Sequence, residues 1–346
     1  MITISLCMIV KNEEALLSRC LDSLKDLMDE IIIVDTGSTD RTKEIAAGYT
    51  DKIYDYMWQN DFAAARNFSF SKAKMDYIYC ADADEVLDEE NRARFRDLKQ
   101  AMLPEIDIVQ MKYAGQLNYN TAYNYDEEYR PKLYKRLRSF YFECPVHETV
   151  VTEPVVFDSD IRILHKPHGS HTDRDLTIFR ETYDAPDAPY MPKRLLSMYA
   201  KELFISGTDA HFIDAIPIMT RLLLEDSRSA EEVLTISCVL AHAYRVKKDV
   251  ASFFKYAMKA VVSQSCSEIC MELGAYYEAA GDFNEAHIWY YNAAFETSPI
   301  CNIHLGGDEA LLALARVFDA VGLSIPAKDY RRQAAEWKMP VSERNA

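Results

Sequence analysis

The sequence begins without a membrane-length apolar segment and has no excess of positive charge. Its first apolar stretch, residues 4–10, is ended by the charged sequence KNEE far short of a bilayer span, and no basic segment precedes it. Acidic residues outnumber basic ones by 55 to 39, which gives a net charge of −16. Neither nucleic acid nor an anionic membrane favours such a charge. We therefore expect a cytoplasmic protein with no membrane span and no nucleic-acid partner.

Clustered cysteines are also missing. The eight cysteines are scattered through apolar segments and are not grouped at the spacing of a metal site. Cys266 and Cys270 lie four residues apart, but no histidine or further cysteine accompanies them, so zinc is not expected there. Most of the cysteines are predicted to be buried thiols.

Two different patterns divide the chain, which at 346 residues exceeds the size of a typical single core. Over roughly the first third, short apolar strands alternate with amphipathic helices, which is typical of βαβ units and a parallel sheet. From about Pro189 onward, the pattern is helical only. We expect an α/β domain at residues 1–175 and a helical domain at residues 176–340.

The helical part contains four segments that can be superposed. In each segment a small residue and an aromatic precede a turn and a second amphipathic helix. The turns lie 40, 33 and 41 residues apart, at Asp209, Asp249, Asp282 and Leu323, which brackets the tetratricopeptide period. Such helical pairs form a platform for a peptide or another subunit, or alternatively a buttress that only stabilises the sheet. A homodimer through these helices is a further hypothesis.

The stretch YCADADEVL holds the strongest local signal. An apolar run, residues 77–81, leads directly into Asp82, Asp84 and Glu85. Ligands of open α/β sheets bind at the carboxyl ends of the strands, where these carboxylates would lie together. Two neighbouring carboxylates repel each other unless a cation lies between them, and oxygen ligands favour magnesium or manganese. The alternative is an acidic turn that favours the start of the helix at residues 88–102.

With this triplet and this order of strands and helices, about the first 170 residues resemble family 2 glycosyltransferases of the GT-A fold. Four motifs carry the resemblance, in the family's order and spacing: SLCMIVKNEE, EIIIVDTGSTDRT, DFAAARNFS and CADADEVL. The segments VHE and ILH, followed by helical repeats, are similar to the subgroup that includes bacteriocin peptide S-glycosyltransferases of the sublancin type. The implied fold is a Rossmann-like GT-A domain followed by an all-α, tetratricopeptide-like domain.

The resemblance implies a nucleotide-sugar site at the carboxyl ends of the first strands. The end of the first strand, residues 9–13 with Ile9, Lys11 and Glu13, would line the base and ribose. Asp35 would accept hydrogen bonds from the base or ribose, its alternative being a solvated turn carboxylate. Arg66 would reach the diphosphate, its alternative being an arginine on a helix surface.

The resemblance also implies a divalent cation, Mn²⁺ or Mg²⁺, held by the DxD motif. Asp82 would contact both ribose and cation, and Asp84 would be the principal ligand. His165, at the end of a predicted strand, is the candidate third ligand, with a structural histidine as the alternative. Glu85 would orient its neighbours or the acceptor.

A carboxylate late in the α/β domain is implied as the base that deprotonates the acceptor. Glu148 is the candidate, and His147 would either act as the base or orient Glu148. Alternatively, Glu148 caps a helix or pairs with Arg138. The sequence departs here from family members that have an acidic pair at the base position.

The implied function is an inverting, metal-dependent transfer of a hexose from a UDP-linked sugar to a Cys, Ser or Thr side chain of a peptide or protein. The helical repeats favour the peptide acceptor. One alternative is a saccharide acceptor in a cell-envelope polysaccharide, which is disfavoured because the sequence has no basic amphipathic helix. Another is a non-catalytic protein in which the repeats bind a partner and the transferase domain is inactive.

Overall fold

A computed structural model describes residues 1–114, 127–150, 153–166, 172–185 and 187–339 of the chain. These residues divide into two compact units, the first containing the described residues up to 166 and the second those from 172 onward. The first unit is α/β and the second is all-α, so the expected succession of the two classes is confirmed. Within the described ranges, no helix has both the length and the apolar character needed to cross a bilayer.

The first unit is built around a mixed sheet. Its described strands are β1 (Ile4–Val10), β2 (Glu30–Asp35), β3 (Ile53–Asp55), β4 (Tyr77–Cys80), β5 (Glu85–Val86), β6 (Ile108–Ala114), β7 (Glu127–Lys135) and β10 (Val156–His165). Their spatial order is β3-β2-β1-β4-β7-β6-β10-β5. A separate two-stranded ladder joins β8 (Phe142–Glu143) to β9 (Thr149–Val150).

The direction of the strands corrects one expectation. Strands β1 to β4 are mutually parallel, as the alternation of strands and helices predicted. Strand β7, however, runs antiparallel between β4 and β6, so the sheet is mixed rather than parallel. The physical reason is that β7 pairs with β6, the strand that precedes it in the chain, whereas the alternation of strands and helices predicts only pairs joined by crossovers. The tyrosine-rich stretch therefore supplies a central strand here, while residues 115–126 of it lie outside the described residues.

Helices cover the sheet and explain its buried strands. They are α1 (Leu17–Leu24), α2 (Thr42–Ala47), α3 (Phe62–Phe70) and α4 (Glu89–Ala101). Aspartates cap the last two, because Asp61 accepts a hydrogen bond from the N–H of Ala64 and Asp88 accepts one from the N–H of Asn91. The residue that caps α4 is thus Asp88, so the interpretation of the acidic triplet as the start of that helix is wrong.

The second unit consists of paired helices. Its helices are α5 (Thr172–Tyr183), α6 (Lys193–Ser206), α7 (Asp209–Asp214), α8 (Ile216–Leu223), α9 (Ala230–Val246), α10 (Val250–Ser263), α11 (Ser267–Ala279), α12 (Phe283–Tyr291), α13 (Asp308–Ala320) and α14 (Ser324–Glu336). All four predicted turns are confirmed, since each lies at the start of the second helix of a pair. Asp249 and Asp282 cap α10 and α12 with their side chains.

The thiols behave as the sequence predicted. Seven of the eight cysteines are buried and Cys144 is half-buried, and none is in a disulfide within the described part of the chain. Cys266 lies beside Cys238, with the two sulfur atoms 3.3 Å apart in the core of the helical unit.

Candidate functional site

The acidic turn, which we define as residues 81–85, follows the end of β4. Its three carboxylates have different exposures: the side chains of Asp82, Asp84 and Glu85 are 45%, 13% and 2% exposed. Each also meets a different basic side chain. Asp82 lies 3.7 Å from Arg66, Asp84 Oδ2 lies 3.0 Å from His165 Nε2, and Glu85 forms a buried ion pair with Lys132. The turn is therefore held by groups from α3, β10 and β7.

Arg66 links the acidic turn to the candidate base. Its side chain, on α3, is only 11% exposed, so the helix-surface alternative is wrong. Its Nε and Nη2 groups donate to the same oxygen of Glu148 at 2.7 and 2.6 Å, and its guanidinium lies over the ring of Phe142. A further N–H of Arg66 contacts the thiol of Cys80. The guanidinium thus lies between Asp82 and Glu148, where it balances both carboxylates.

The region of the predicted base is shaped by the loop between β8 and β9. Glu148 is bound by Arg66, whereas Arg138 lies 3.4 Å from Asp107, so the alternative pairing of Glu148 with Arg138 is wrong. His147, the preceding residue, has a φ of +49°, in the left-handed region that most residues avoid. The structure brings Glu148 to the acidic turn through Arg66, and the roles of Glu148 and His147 as bases stay predictions.

The electrostatics of the turn favour an ionised Asp82. Burial acts to raise the pKa of Asp82, but the positive charges of Lys132, Arg66 and Arg130 outweigh it and hold this pKa well below its ordinary value. An ionised, half-exposed carboxylate remains available to a cation or to a hydrogen-bond donor of a ligand. The sequence could not give this result, since the basic residues concerned come from other elements.

The proposed metal ligands suit a hard cation. Oδ1 of Asp84 is buried and, among the residues that the structure describes, has no hydrogen-bond partner. An unsatisfied carboxylate oxygen next to an exposed carboxylate and an imidazole is a donor set suited to Mn²⁺ or Mg²⁺. Within the same residues, no three His, Cys, Asp or Glu side chains are already grouped as a metal site. The set of Asp82, Asp84 and His165 therefore stays a prediction.

The predicted nucleoside site lies at the carboxyl ends of β1 and β2. Ile9 is partly buried at the end of β1, Lys11 is exposed and Glu13 is partly buried. Asp35 is only 3% exposed, and its carboxylate accepts hydrogen bonds from the N–H groups of Gly37 and Ser38. Asp35 is therefore not a solvated turn carboxylate, and it shapes the turn after β2.

Asn12, which lies within the predicted nucleoside segment at residues 9–13, joins the two loops of this site. Its N–H donates to Ser38 Oγ at 2.9 Å, and its Oδ1 accepts from the N–H of Thr39 at 2.8 Å. Its φ of +57° is one that asparagine tolerates better than most residues. The two loops of the predicted nucleoside site are thus fixed to each other.

A group of basic and aromatic side chains lies against the acidic turn, and sequence reasoning missed three of its four members. These are Tyr113, Arg130 and Lys132, which join the predicted ligand His165 and come, with it, from β6, β7 and β10. The ring of Tyr113 lies 3.9 Å from the guanidinium carbon of Arg130, 5.4 Å from Nζ of Lys132 and 5.0 Å from the ring of His165. The only local signal was the cationic sequence RPKLYKR within the tyrosine-rich stretch, and it does not reveal which side chains face the turn.

Comparisons with known proteins find a family model and several relatives that are similar to part of the chain. Residues 5–153 match the family model described as Glycosyl transferase family 2. A TPR repeat-containing protein of Synechococcus elongatus is 38% identical over 153 residues, which are 43% of this chain and 36% of that protein. The SPbeta prophage-derived glycosyltransferase SunS of Bacillus subtilis is 27% identical over 304 residues, which are 76% of this chain and 68% of that protein.

Among solved structures, that of S. aureus TarS 1-349 in complex with UDP is 14% identical, covers 85% of this chain and 91% of its own, and has a TM-score of 0.38. The match to the Synechococcus protein spans about a third of that protein's length, and the match to SunS about two thirds.

Proposed function

We propose that the first unit, whose residues 5–153 match the Glycosyl transferase family 2 model, is a glycosyltransferase domain of the GT-A fold, and that the chain transfers a hexose from a UDP-linked sugar to a peptide or protein. The acceptor atom in this proposal is the sulfur of a Cys or the hydroxyl oxygen of a Ser or Thr. The transfer inverts the configuration at the sugar carbon and depends on a divalent cation.

The observation that carries the donor half of the proposal is the convergence of Arg66, Asp82 and Asp84 at the end of β4. Strand β4 runs parallel to β1, with Cys80 opposite Cys7, so the carboxyl ends of both strands point to the same edge of the sheet. Nucleoside diphosphates in open α/β sheets bind at such strand ends. A guanidinium next to two carboxylates offers one group for the diphosphate and two for a cation that neutralises it.

In the proposed reaction, the bond between the sugar C1 and the diphosphate oxygen breaks while C1 bonds to the acceptor oxygen or sulfur. When bound by Asp82, Asp84 and His165, a divalent cation would supply Lewis-acid stabilisation of the leaving diphosphate. Arg66 is placed to hold the same oxygens and balance their growing charge. The proton of the acceptor group passes to the carboxylate of Glu148.

The contact between Arg66 and Glu148 gives this mechanism an order of events. Both hydrogen bonds from Arg66 go to Oε1 of Glu148. In this proposal, Arg66 releases that oxygen to the proton of the acceptor when it turns toward the diphosphate. Donor binding thus precedes deprotonation of the acceptor, and the acceptor nucleophile is generated only when a sugar is in place.

Support for a peptide acceptor comes from the extent of the similarity to SunS. The match covers 76% of the chain, whereas the first unit, up to residue 170, is about half of it. The similarity therefore includes part of the helical unit. Together with the resemblance to the sublancin-type subgroup, this favours an acceptor that uses the helical pairs, and helical repeats commonly bind peptides.

The test is hydrolysis of a panel of nucleotide sugars by the purified protein, with Mn²⁺ and with EDTA, followed by mass spectrometry of peptides that contain Cys, Ser or Thr. We expect one UDP-sugar to release UDP only with Mn²⁺, and one peptide to gain a hexose. Asp84→Ala should lose both, whereas Glu89→Ala, on the exposed first turn of α4, should keep both. Transfer only to saccharides would overturn the peptide acceptor, and donor hydrolysis unchanged by EDTA would overturn the metal dependence.

A further inference from the structure

We propose that Lys132 is a positioning residue for the donor site: it anchors the acidic turn through Glu85 and supplies the fixed positive charge beside Asp82. This inference rests on the proposed function, because it concerns how the same turn receives the cation and the diphosphate. Lys132 does not touch the donor in this proposal. It acts through Glu85 and Asp82.

The pair formed by Lys132 and Glu85 is one of the few charged pairs enclosed in the first unit. Both residues are buried, and the ion pair joins two strands 47 positions apart in sequence. Removing two charges from water costs several kcal/mol, and apolar side chains of similar size stabilise a fold about as well as a buried pair or better. Stability alone therefore does not explain the pair, which favours a role in positioning.

The register of the sheet places Lys132 at the start of the acidic turn. Tyr79 of β4 lies opposite Leu133 of the antiparallel strand β7. Lys132, which precedes Leu133, is therefore opposite Cys80 at the end of β4. Cys80 lies two residues before Asp82. Its ammonium nitrogen lies 5.4 Å from the centre of the ring of Tyr113, which also contacts the ring of His165. This setting fixes the ammonium group without solvent on most sides.

Arg66 and His165 make the other two contacts with the acidic turn, but both are also proposed to bind the incoming ligands. In the proposed function, Arg66 turns to the diphosphate and His165 turns to the cation, so both release their carboxylates when the site is loaded. The ion pair of Lys132 with Glu85 needs no exchange. Lys132 is therefore the group that keeps the turn in place while Asp82 and Asp84 change partners.

The test compares four variants with the wild-type protein by calorimetry of UDP binding in the presence of Mn²⁺, of uridine binding, and by thermal unfolding. Lys132→Met removes the charge, Lys132→Arg restores it, and Lys132→Met with Glu85→Gln removes both charges of the pair. Lys135→Met is the matched control, because Lys135 lies on the same strand but its ammonium group bonds to the carbonyl of Pro104.

We expect Lys132→Met to weaken UDP binding about tenfold or more while uridine binding changes less than about twofold, since the turn serves the diphosphate and the cation. The double variant should regain thermal stability but not UDP affinity. Lys132→Arg should regain much of both, and Lys135→Met should match the wild type in UDP affinity.

Two results would overturn the inference: full recovery of UDP affinity in the double variant, which would mean that Lys132 only neutralises Glu85, or an unchanged UDP affinity in Lys132→Met. A wild-type protein that binds no nucleotide with Mn²⁺ would overturn the proposed function itself. A difference between variants is therefore interpreted only against a wild type that binds, which separates failure of the inference from failure of the function.

Discussion

Two buried carboxylates of the helical unit and two of the acidic turn differ in how fully they are hydrogen-bonded. In the helical unit, Glu268 is fully buried, and its carboxylate accepts hydrogen bonds from three successive backbone N–H groups, at residues 300–302. Glu272 is bound by His242 and Arg245. In the acidic turn, by contrast, one oxygen of Asp84 and one of Glu85 have no hydrogen-bond partner among the described residues.

The difference separates carboxylates that build structure from carboxylates held ready for a ligand. A buried acceptor that is fully hydrogen-bonded contributes to folding, while an unsatisfied one costs stability that a ligand can restore. Glu268 supplies the acceptor for the backbone N–H groups of residues 300–302. Its loss should therefore destabilise the fold rather than remove the activity. Loss of Asp84, by contrast, should remove the activity and leave the stability of the fold nearly unchanged.

The strongest way to break this comparison is to remove Asp84. We expect Asp84→Ala to lower UDP release from the donor about 100-fold or more, because a principal cation ligand is lost. The midpoint of thermal unfolding should change by no more than about 2 °C, since the side chain is incompletely satisfied in the fold. Steady-state kinetics with Mn²⁺ and a thermal melt check the two halves of this prediction. A large fall in the melting temperature would place Asp84 among the structural carboxylates.

The converse change is Glu268→Ala. It should leave the three N–H groups at residues 300–302 without their acceptor and cost about 4 kcal/mol in the free energy of unfolding of the helical unit. Glu268→Gln keeps one acceptor oxygen and should cost about half as much. Urea unfolding followed by far-UV circular dichroism measures both values. Equal stability of Glu268→Ala and the wild type would remove the distinction between the two units.

The acid sensitivity of the helical unit sharpens the comparison further. Burial acts to raise the pKa of Glu272, but His242 and Arg245 outweigh it and lower this pKa to about 2. Because the folded-state pKa is lowered, the stabilisation is present above the unfolded pKa and is lost as pH falls from about 4.5 to about 2.

Urea unfolding at several pH values should show that the free energy of unfolding decreases by about 3 kcal/mol over this pH range. The Glu272→Gln variant should lack this decrease. If Glu272→Gln shows the same pH dependence as the wild type, other carboxylates account for the acid sensitivity.

Glu202 of α6 gives the smallest expected effect and the opposite sign. Burial and the neighbouring Asp175 raise its pKa to about 7, although a hydrogen bond from Thr172 acts against them. The folded protein favours the neutral form of Glu202. The free energy of unfolding therefore decreases as pH rises from about 4.5 to 7.

We expect Glu202→Gln to stabilise the helical unit by about 2 kcal/mol at pH 8 and to have little effect at pH 4. Thermal unfolding at the two pH values tests this. A variant that is less stable than the wild type at pH 8 would contradict the sign.

Much of the fold could be predicted because its information is local. The strands β1, β2 and β4 are continuous apolar runs, and the helices between them have apolar residues at helical spacing, so their existence and order followed from the sequence. The turns at Asp249 and Asp282 were predicted from the superposed helical segments, and both aspartates cap the helices that follow. Strand β10 was expected over residues 161–164 only, because the exposed beginning of the strand, Val156 to Asp158, lacks a buried apolar pattern.

The candidate site could be predicted in its acidic members but not in their partners. The partner of Asp84 lies 81 residues away, that of Arg66 lies 82 away, and that of Glu85 lies 47 away. These contacts are set by the register and direction of β7 and β10, which depend on the whole sheet. Lys132 therefore could not be distinguished in sequence from the neighbouring Lys135, although the two have different surroundings in the fold.

The insertion of β7 between β4 and β6 has a consequence for biosynthesis. The ribosome completes β1 to β4 by residue 80, but β4 gains its second neighbour only after residue 135 has emerged. During this interval, β4 and its acidic turn form the exposed edge of a nascent sheet, where chaperones and other chains can pair with it. The strand that completes the sheet also delivers Lys132 to Glu85, so the edge closes and the turn is secured in the same step of synthesis.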